Sequence, residues 1–206
     1  MAIRVLLIED HFLARMALRS VLSGHSDIVI VGEASDGAGG IELYRKCTPD
    51  VTVMDLRLPG MNGFDAIASI RKLSRTAKIV VLSNYEGSED IYRAIRNGAM
   101  AYLTKNTSGE ELVEAIVAAH RGLRYLPPTA RDRLAERTSL VELTPREHEV
   151  LTCITRGQSN RDIAEQLHIA EKTVRIHVSS VLDKMCVRDR TQAAIYAIQR
   201  GLVHLQ

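Results

Sequence analysis

The stretch Val5-Leu6-Leu7-Ile8-Glu9-Asp10 decides the fold of the first part of this 206-residue chain. Its four apolar residues belong to a mainly hydrophobic run, Ile3–Ile8, and two carboxylates follow directly. Continuous apolar runs of about four to six residues are typical of strands that are buried on both faces, as in a parallel sheet. The stretch therefore predicts a buried strand that ends in acidic side chains.

Four further apolar runs with the same character follow along the chain, and helical patterns separate them. These runs are Ile28–Val31, Val51–Met54, Ile79–Leu82 and Ala101–Leu103. The last helical pattern begins at a capping-box pair, Ser108 and Glu111, and ends at Gly122. Five strands that alternate with five helices predict an α/β fold with a doubly wound, five-stranded parallel sheet.

The pattern changes after Gly122. Leu123–Ser139 holds two prolines and a charged stretch, which predicts a linker that is helical in part. From Leu140 onward only helical patterns occur, and they predict a small all-α domain of four helices. These helices begin at Pro145, Asn160, Glu171 and Thr191. We therefore expect an α/β domain over residues 1–121, a linker over 122–139 and a helical domain over 140–206.

The composition is that of an ordinary globular protein, with 46% hydrophobic and 25% charged residues, and it excludes a disordered or collagen-like chain. No apolar run approaches the roughly 20 residues that span a bilayer, so we expect a cytoplasmic protein without a membrane partner. Cys47, Cys153 and Cys186 are widely spaced, and we expect them to be buried as small hydrophobic residues in a reducing compartment.

The net charge of +2 is divided unevenly between the two expected domains. Residues 1–121 hold 14 basic and 15 acidic residues, a net charge of −1. Residues 122–206 hold 13 basic and 10 acidic residues, a net charge of +3. This difference of four charges favours two domains with different partners.

Polar side chains follow the ends of four predicted strands. Glu9 and Asp10 follow the first strand, Asp55 the third and Ser83 the fourth, while Lys105 lies just beyond the fifth. In a doubly wound sheet these carboxyl ends form the ligand-binding edge. Three carboxylates repel one another unless a cation joins them, and hard oxygen ligands with open positions suit Mg²⁺.

The same group of residues also suits phosphoryl chemistry. Asp55 can act as a nucleophile toward phosphorus and form an aspartyl phosphate. Lys105 and the metal would then neutralise the charge on the phosphoryl oxygens, and Ser83 would donate a hydrogen bond to one of them.

Residues 1–121 resemble the receiver domain of two-component response regulators, which has a flavodoxin-like fold. The stretches that carry the resemblance are Val5-Leu-Leu-Ile-Glu-Asp10, Val53-Met-Asp-Leu-Arg-Leu-Pro-Gly-Met-Asn-Gly63, Val80-Val-Leu-Ser83 and Ala101-Tyr-Leu-Thr-Lys105. The resemblance implies that Asp55 is the phosphoacceptor and that Glu9, Asp10 and Asp55 bind Mg²⁺ together with the backbone carbonyl of Arg57. It also implies that Ser83 and Tyr102 are switch residues and that Lys105 binds the phosphate.

Two features of the receiver pattern stay open at this stage. Lys105 is followed by Asn106, where many receivers have proline, so the sequence does not decide whether this peptide bond is cis. In receivers the positions of Arg57 and Tyr85 tune the lifetime of the phosphate, but the direction of the effect here cannot be read from the sequence.

Ser159–Val178 has the spacing of a helix-turn-helix. Leu143–Leu151, Ser159–Leu167 and Lys172–Val178 closely resemble the LuxR-type helix-turn-helix, which identifies the chain as a member of the NarL/FixJ class of response regulators. An N-terminal part of a recognition helix reads base edges in the major groove. The candidate DNA contacts are Lys172, Thr173, Arg175, Ile176, Ser179 and Lys184.

The resemblance assigns different tasks to these residues. It implies that Arg175, Ile176 and Ser179 face bases, whereas Lys172 and Thr173 are placed for phosphates. It also implies that the last helix forms the dimer on DNA. Its candidate dimer surface consists of Ala193, Ala194 and Ala197.

The sequence thus predicts a transcription regulator and not an enzyme. A sensor histidine kinase would phosphorylate Asp55, and the active homodimer would bind double-stranded promoter DNA. Two alternatives stay open. A phosphatase with an aspartate nucleophile has a similar pocket, but Arg57 stands where such enzymes typically carry a second aspartate. The other alternative is a protein-docking regulator, but Lys172, Thr173 and Arg175 favour DNA.

Overall fold

A computed structural model describes residues 2–84, 87–137 and 143–203. The chain divides into two compact units, one of residues 1–85 and 91–131 and the other of residues 86–90 and 132–206. The expectation for Tyr85 lies outside the described residues, as does the predicted junction between linker and helical domain at 138–142.

The first unit contains a five-stranded parallel sheet with the strand order β2-β1-β3-β4-β5, which confirms the predicted fold class. Its strands are β1 (Ile3–Ile8), β2 (Ile28–Ala34), β3 (Val51–Met54), β4 (Ile79–Ser83) and β5 (Ala101–Thr104). The second strand is three residues longer than its apolar run, because Gly32, Glu33 and Ala34 continue the ladder with β1. Ladder pairing uses backbone groups and needs no apolar side chain.

Helices connect the strands. They are α1 (Phe12–Ser23), α2 (Gly37–Cys47), α3 (Gly63–Leu73), α4 (Ser88–Arg96) and α5 (Gly109–His120). One core cluster joins the inner strands to α1 and α5, and it includes Val5, Val53 and Ile116, all at most 1% exposed. The buried sheet holds the strand ends in place, which fixes the edge where the candidate pocket lies.

The N-terminus of α5 differs in one detail from its predicted capping box. The Ser108 side chain accepts a hydrogen bond from the Glu111 N–H, as expected. The Glu111 carboxylate, however, accepts hydrogen bonds from the Thr107 and Tyr125 hydroxyls. These two hydroxyls take the place of the Ser108 backbone N–H as donors to Glu111.

The segment after α5 includes a short extension of the sheet and a helix. Tyr125 forms an isolated parallel bridge with Ala101, and its N–H donates to the Met100 carbonyl. Helix α6 (Pro128–Arg137) follows, in agreement with the expectation that part of this segment is helical.

The second unit contains the four predicted helices α7 (Pro145–Thr155), α8 (Asn160–Leu167), α9 (Glu171–Lys184) and α10 (Arg190–Gln199). Thr144 and Glu147 form the predicted capping box at the start of α7. Two small apolar clusters fill the interior, one centred on Val150, Ile163 and Val174, and the other on Leu151 and Val181.

The expectation for the cysteines is wrong at one position. Cys153 is buried and Cys47 is half-buried, but Cys186 is exposed. Cys186 follows the C-terminus of α9 with a φ of 53°, and this left-handed turn carries its side chain away from the core. Among the described residues, no helix combines the length and the apolar character that a membrane crossing requires.

Candidate functional site

The carboxyl ends of the central strands bring the predicted pocket residues to one edge of the sheet. Ile8 is paired with Met54 across β1 and β3, so Glu9 and Asp55 leave the sheet side by side. The Asp55 N–H also donates to the Ile8 carbonyl at 2.9 Å, which continues the ladder beyond the strand. The position of Asp55 is therefore set by the backbone rather than by a flexible loop.

A close approach of the backbone supports the loop after Asp55. Gly63, the first residue of α3, lies so near that a Cβ atom there would stand 2.6 Å from the Asp55 carbonyl oxygen and 2.5 Å from the Leu56 Cα. Such distances exclude any side chain without movement of the backbone. The glycine therefore allows the start of α3 to pack directly against the backbone of Asp55 and Leu56.

Lys105 bridges two of the three carboxylates. Its Nζ lies 2.7 Å from Glu9 Oε2 and 2.7 Å from Asp55 Oδ2. Glu9 and Asp55 are buried, at 1% and 4% exposure, whereas Asp10 is exposed. Burial strengthens the attraction of these charges because little water screens them. The structure thus brings together Glu9, Asp55 and Lys105 as the sequence predicted.

The electrostatics of the pocket follow from burial and from these ion pairs. Burial raises the pKa of Glu9, and the neighbouring Asp55 charge adds to this effect, while Lys105 opposes it. Burial by itself would lower the pKa of Lys105, but its hydrogen bonds with Asp55 and Glu9 outweigh burial and raise it. Lys105 therefore carries a positive charge at neutral pH.

The donor set fits a hard divalent cation. One carboxylate oxygen from each of Glu9, Asp10 and Asp55 lies within 4.8 Å of the others, close enough to ligate a single ion. All three ligands are oxygens and Asp10 opens to solvent, which suits Mg²⁺ with several retained waters. The Arg57 N–H donates to Asp55 Oδ1 at 3.1 Å, so the Arg57 backbone lies at the pocket.

The two expected switch residues occupy neighbouring strands. Ser83 ends β4 and is buried, while Tyr102 lies on β5 beside Val81 and is 1% exposed. Both side chains are therefore already buried in this structure. No cis peptide bond occurs in the described parts of the chain, so the Lys105–Asn106 bond is trans.

Helices α8 and α9 form the predicted helix-turn-helix. His168 caps the C-terminus of α8, and its φ of 53° turns the chain sharply toward the start of α9. Ile163 and Val174 pack the two helices together and are fully buried. This packing leaves one face of α9 open to solvent.

The exposed face of α9 carries most of the predicted DNA contacts. Lys172, Arg175, Ile176 and Ser179 are exposed, and Thr173 is half-buried. Ile176 is notable because 62% of this apolar residue is exposed. Arg175 forms a surface ion pair with Glu171, at 2.6 Å, which leaves its guanidinium on the outer face.

Lys184 lies apart from this face. Its Nζ donates to Glu147 Oε2 at 2.6 Å, and the Ser180 hydroxyl donates to Glu147 Oε1 at 2.6 Å. Glu147 is 4% exposed, so its charge is compensated inside the domain. In this structure the Lys184 ammonium is therefore paired with Glu147, and the DNA contact expected of Lys184 stays a prediction.

The buried carboxylate of Glu147 predicts an acid-labile domain. Burial alone would raise the pKa of Glu147, but hydrogen bonds from Lys184, Ser180 and Thr144 outweigh it and lower the pKa from 4.5 to about 2. Because the folded pKa is depressed, the ionised carboxylate stabilises the fold fully above about pH 4.5. That stability, on the order of 3 kcal/mol, is lost as the pH falls toward 2.

The measurement is the free energy of unfolding of α7–α10 as a function of pH, with the amide NMR signals of this domain as the readout. Glu147→Gln should lower the stability at pH 7 and flatten the profile between pH 4.5 and 2. Glu149→Gln is the matched control, since Glu149 pairs with Arg146 on the surface at 52% exposure and should keep the wild-type profile. An unchanged profile in Glu147→Gln would contradict this assignment.

The expected dimer surface requires a correction. Ala193 and Ala197 are fully buried in the core of the domain, and Ala194 is packed against its other cluster. Ala193 and Ala197 are small because α10 packs closely on α7 and α9, so these two alanines cannot form an open surface, and Ala194 is half-buried. The exposed apolar residues of α10 are Ile195 and Ile198, at 51% and 42% exposure.

Sequence reasoning therefore missed Glu147, Ile195 and Ile198. Alanines four residues apart mark one helix face, and the isoleucines at 195 and 198 mark the opposite face. These two larger apolar residues, on the face opposite the alanines, were the sequence signal for an exposed apolar surface on α10.

A parallel α/β unit with a carboxylate–lysine pocket and a helical unit with a helix-turn-helix define a two-domain regulatory protein. The family models agree. Residues 5–117 match the response regulator receiver domain, and residues 141–197 match the bacterial regulatory proteins of the luxR family. The chain belongs to the response regulators of two-component systems, with a receiver domain and a LuxR-type DNA-binding domain.

Full-length relatives support this assignment. The response regulator VraR of Staphylococcus epidermidis is 38% identical over 208 residues, which cover 98% of this chain and all of VraR. The crystal structure of response regulator ChrA, from a heme-sensing two-component system, is 35% identical, covers 98% of this chain and 99% of ChrA, and has a TM-score of 0.59. The structure of the RcsB–DNA complex shares the fold, with a TM-score of 0.72 at 22% identity over 97% of this chain and 99% of RcsB. The family is regulatory, which favours the regulator over the phosphatase alternative.

Proposed function

We propose that the chain is a cytoplasmic, phosphorylation-controlled transcription factor. A sensor histidine kinase transfers a phosphoryl group to Asp55, and the phosphorylated chain binds promoter DNA as a homodimer. The observation that carries this proposal is the pocket in which Lys105 lies 2.7 Å from both Glu9 and Asp55, with Asp10 beside them.

The pocket residues divide the chemistry of the transfer. A carboxylate oxygen of Asp55 attacks phosphorus, the new P–O bond forms, and the bond from phosphorus to the imidazole nitrogen of the kinase breaks. Lys105 is already protonated and exchanges its contact with Asp55 for one with a phosphoryl oxygen. Glu9, Asp10, Asp55 and the Arg57 carbonyl would hold Mg²⁺, which supplies charge neutralisation at the phosphoryl oxygens.

The switch residues connect the phosphate to the rest of the receiver domain. In this proposal the Ser83 hydroxyl donates to a phosphoryl oxygen, and the buried ring of Tyr102 stabilises the resulting arrangement of β4 and β5. Phosphate thus changes the populations of two receiver states rather than creating a new one. We assign the receiver domain to residues 1–121, the linker to 122–139 and the DNA-binding domain to 140–206.

The exposed face of α9 is the proposed DNA interface. Arg175, Ile176 and Ser179 would face base edges in the major groove, because they lie on the open face of a helix that the helix-turn-helix presents. Lys172 and Thr173, at the start of the helix, would contact phosphates. An arginine on this face suits guanine, whose O6 and N7 accept two hydrogen bonds from one guanidinium.

The salt dependence of binding tests the DNA proposal. Electrophoretic retardation of promoter fragments should be strong at low salt and should fall steeply with salt, because each neutralised phosphate adds about −0.9 to the slope of log K against log salt. A dimer doubles the phosphate contacts, so the slope should correspond to twice the number of phosphates that one subunit neutralises. Failure to retard DNA at low salt, with or without acetyl phosphate, would contradict the proposal.

The exposed isoleucines of α10 are the proposed dimer contact on DNA, in place of the buried alanines. Ile195→Arg should weaken DNA binding by at least about tenfold, since a charge in the centre of an apolar contact is left without a partner. Leu73→Arg adds the same charge at an exposed apolar residue of the receiver, at 44% exposure, and should bind like wild type. Equal binding by both variants would remove α10 from the dimer interface.

A further inference from the structure

The C-terminal half of the recognition helix is held by one buried carboxylate. Glu147, in the first turn of α7, accepts hydrogen bonds from Lys184 and Ser180 at 2.6 Å each. The same carboxylate accepts a bond from the Thr144 N–H at 2.7 Å. Glu147 thus joins the start of α7 to two successive turns of α9.

The position of these contacts on α9 determines what they can control. On a helix with 3.6 residues per turn, Ser180 and Lys184 lie one turn apart on one flank. This flank separates the buried stripe, with Val174 and Val181, from the exposed face that carries Arg175. Apolar packing is non-directional, whereas hydrogen bonds are directional. The hydrogen bonds from Ser180 and Lys184 to Glu147 therefore fix the rotation of α9 about its axis.

We propose that Glu147 and Lys184 are positioning residues for DNA recognition: they set the angle at which α9 presents its recognition face, and Lys184 neutralises no DNA phosphate. This inference rests on the proposed DNA-binding function and deepens it. It divides the basic residues of α9 into Lys172 and Arg175, which act on DNA directly, and Lys184, which acts through Glu147.

The salt slope separates the two roles of a lysine. The probe is a duplex that the full-length wild-type protein selects from a random-sequence pool in the presence of acetyl phosphate. Affinity is then measured between roughly 50 and 200 mM salt. Lys184→Met should lower the affinity about tenfold and leave the salt slope unchanged. Lys172→Met, the comparison variant, should reduce the slope by about 0.9 for each subunit.

A double-mutant cycle and a conservative variant distinguish positioning from general destabilisation. Because Glu147→Gln and Lys184→Met break one contact, the double variant should lose much less affinity than the product of the single losses. Lys184→Arg keeps the charge and should restore most of the affinity. Ser180→Ala removes only one hydrogen bond, so it keeps the test available if Lys184→Met fails to fold, and it should lose a few-fold in affinity at an unchanged slope.

The outcomes are decisive in both directions. If the salt dependence becomes shallower in Lys184→Met, as it should in Lys172→Met, Lys184 is a phosphate contact and the inference is overturned. The DNA-binding function would still stand in that case. Affinity that is unchanged in folded Lys184→Met and Ser180→Ala, with only a lower unfolding temperature, would also overturn it, since the network would then serve stability alone. If the wild-type protein selects no duplex at all, the proposed function itself fails.

Discussion

Asp55→Asn should abolish labelling of the protein by acetyl phosphate, with a loss of at least about a hundredfold. The amide removes the anionic oxygen that attacks phosphorus, and no other carboxylate in the pocket has the same position. Glu9 is buried against Lys105, and Asp10 is exposed at the rim. The reaction should also stop when EDTA removes Mg²⁺, since the three carboxylates then repel the incoming phosphoryl group.

The matched control is Asp65→Asn. Asp65 is an exposed carboxylate in the first turn of α3, on the same polypeptide segment as Asp55 but outside the cluster of carboxylates. This variant should be labelled at the wild-type rate. Labelling that persists in Asp55→Asn would show that the phosphoacceptor is another residue and would remove the chemical basis of the proposed switch.

Arg175→Ala should reduce specific DNA binding by roughly 1–3 kcal/mol, or about five- to 150-fold. Its guanidinium lies on the open face of α9, next to Ile176, and its pair with Glu171 is a surface pair that contributes little to stability. The loss should therefore appear in affinity and not in the unfolding temperature. Binding competition between the selected duplex and random duplex measures the specific part.

Helix α8 offers a control with the same chemistry. Arg161 and Glu165 form an exposed ion pair four residues apart, as Arg175 and Glu171 do on α9. Arg161→Ala removes an equal charge from the helix that precedes the recognition helix. It should change specific binding much less than Arg175→Ala does. Equal losses in the two variants would mean that the residue on α9 contributes only net charge.

Much of the receiver pocket was predictable because sequence position alone carries the geometry. In a parallel sheet, residues that follow apolar runs meet at one edge, so Glu9, Asp55 and Lys105 converge wherever the strands form. The same logic predicts a parallel sheet but not the order of its strands. The outcome for Tyr102 was less predictable, because whether its ring lies inside or outside depends on packing around β4 and β5.

The helical domain shows why other features could not be predicted. A helical period places Ala193 and Ala197 on one face, but it does not say whether that face is buried, and small residues suit close helix packing as well as an open surface. Lys184 and Glu147 are 37 residues apart in sequence, and their ion pair exists only because α7 and α9 pack together. Charge pattern alone therefore favoured DNA for a lysine that the fold uses internally.

The central claim is that phosphorylation of Asp55 controls DNA binding, and one measurement tests it most directly. The affinity of full-length protein for its selected duplex is compared with and without acetyl phosphate and Mg²⁺, in wild type and in Asp55→Asn. We predict that phosphorylation raises the wild-type affinity by about five- to 150-fold, the usual range of coupling between two sites, and leaves Asp55→Asn unchanged. Equal affinities in the phosphorylated and unphosphorylated wild-type protein, or the same increase in Asp55→Asn, would contradict the account.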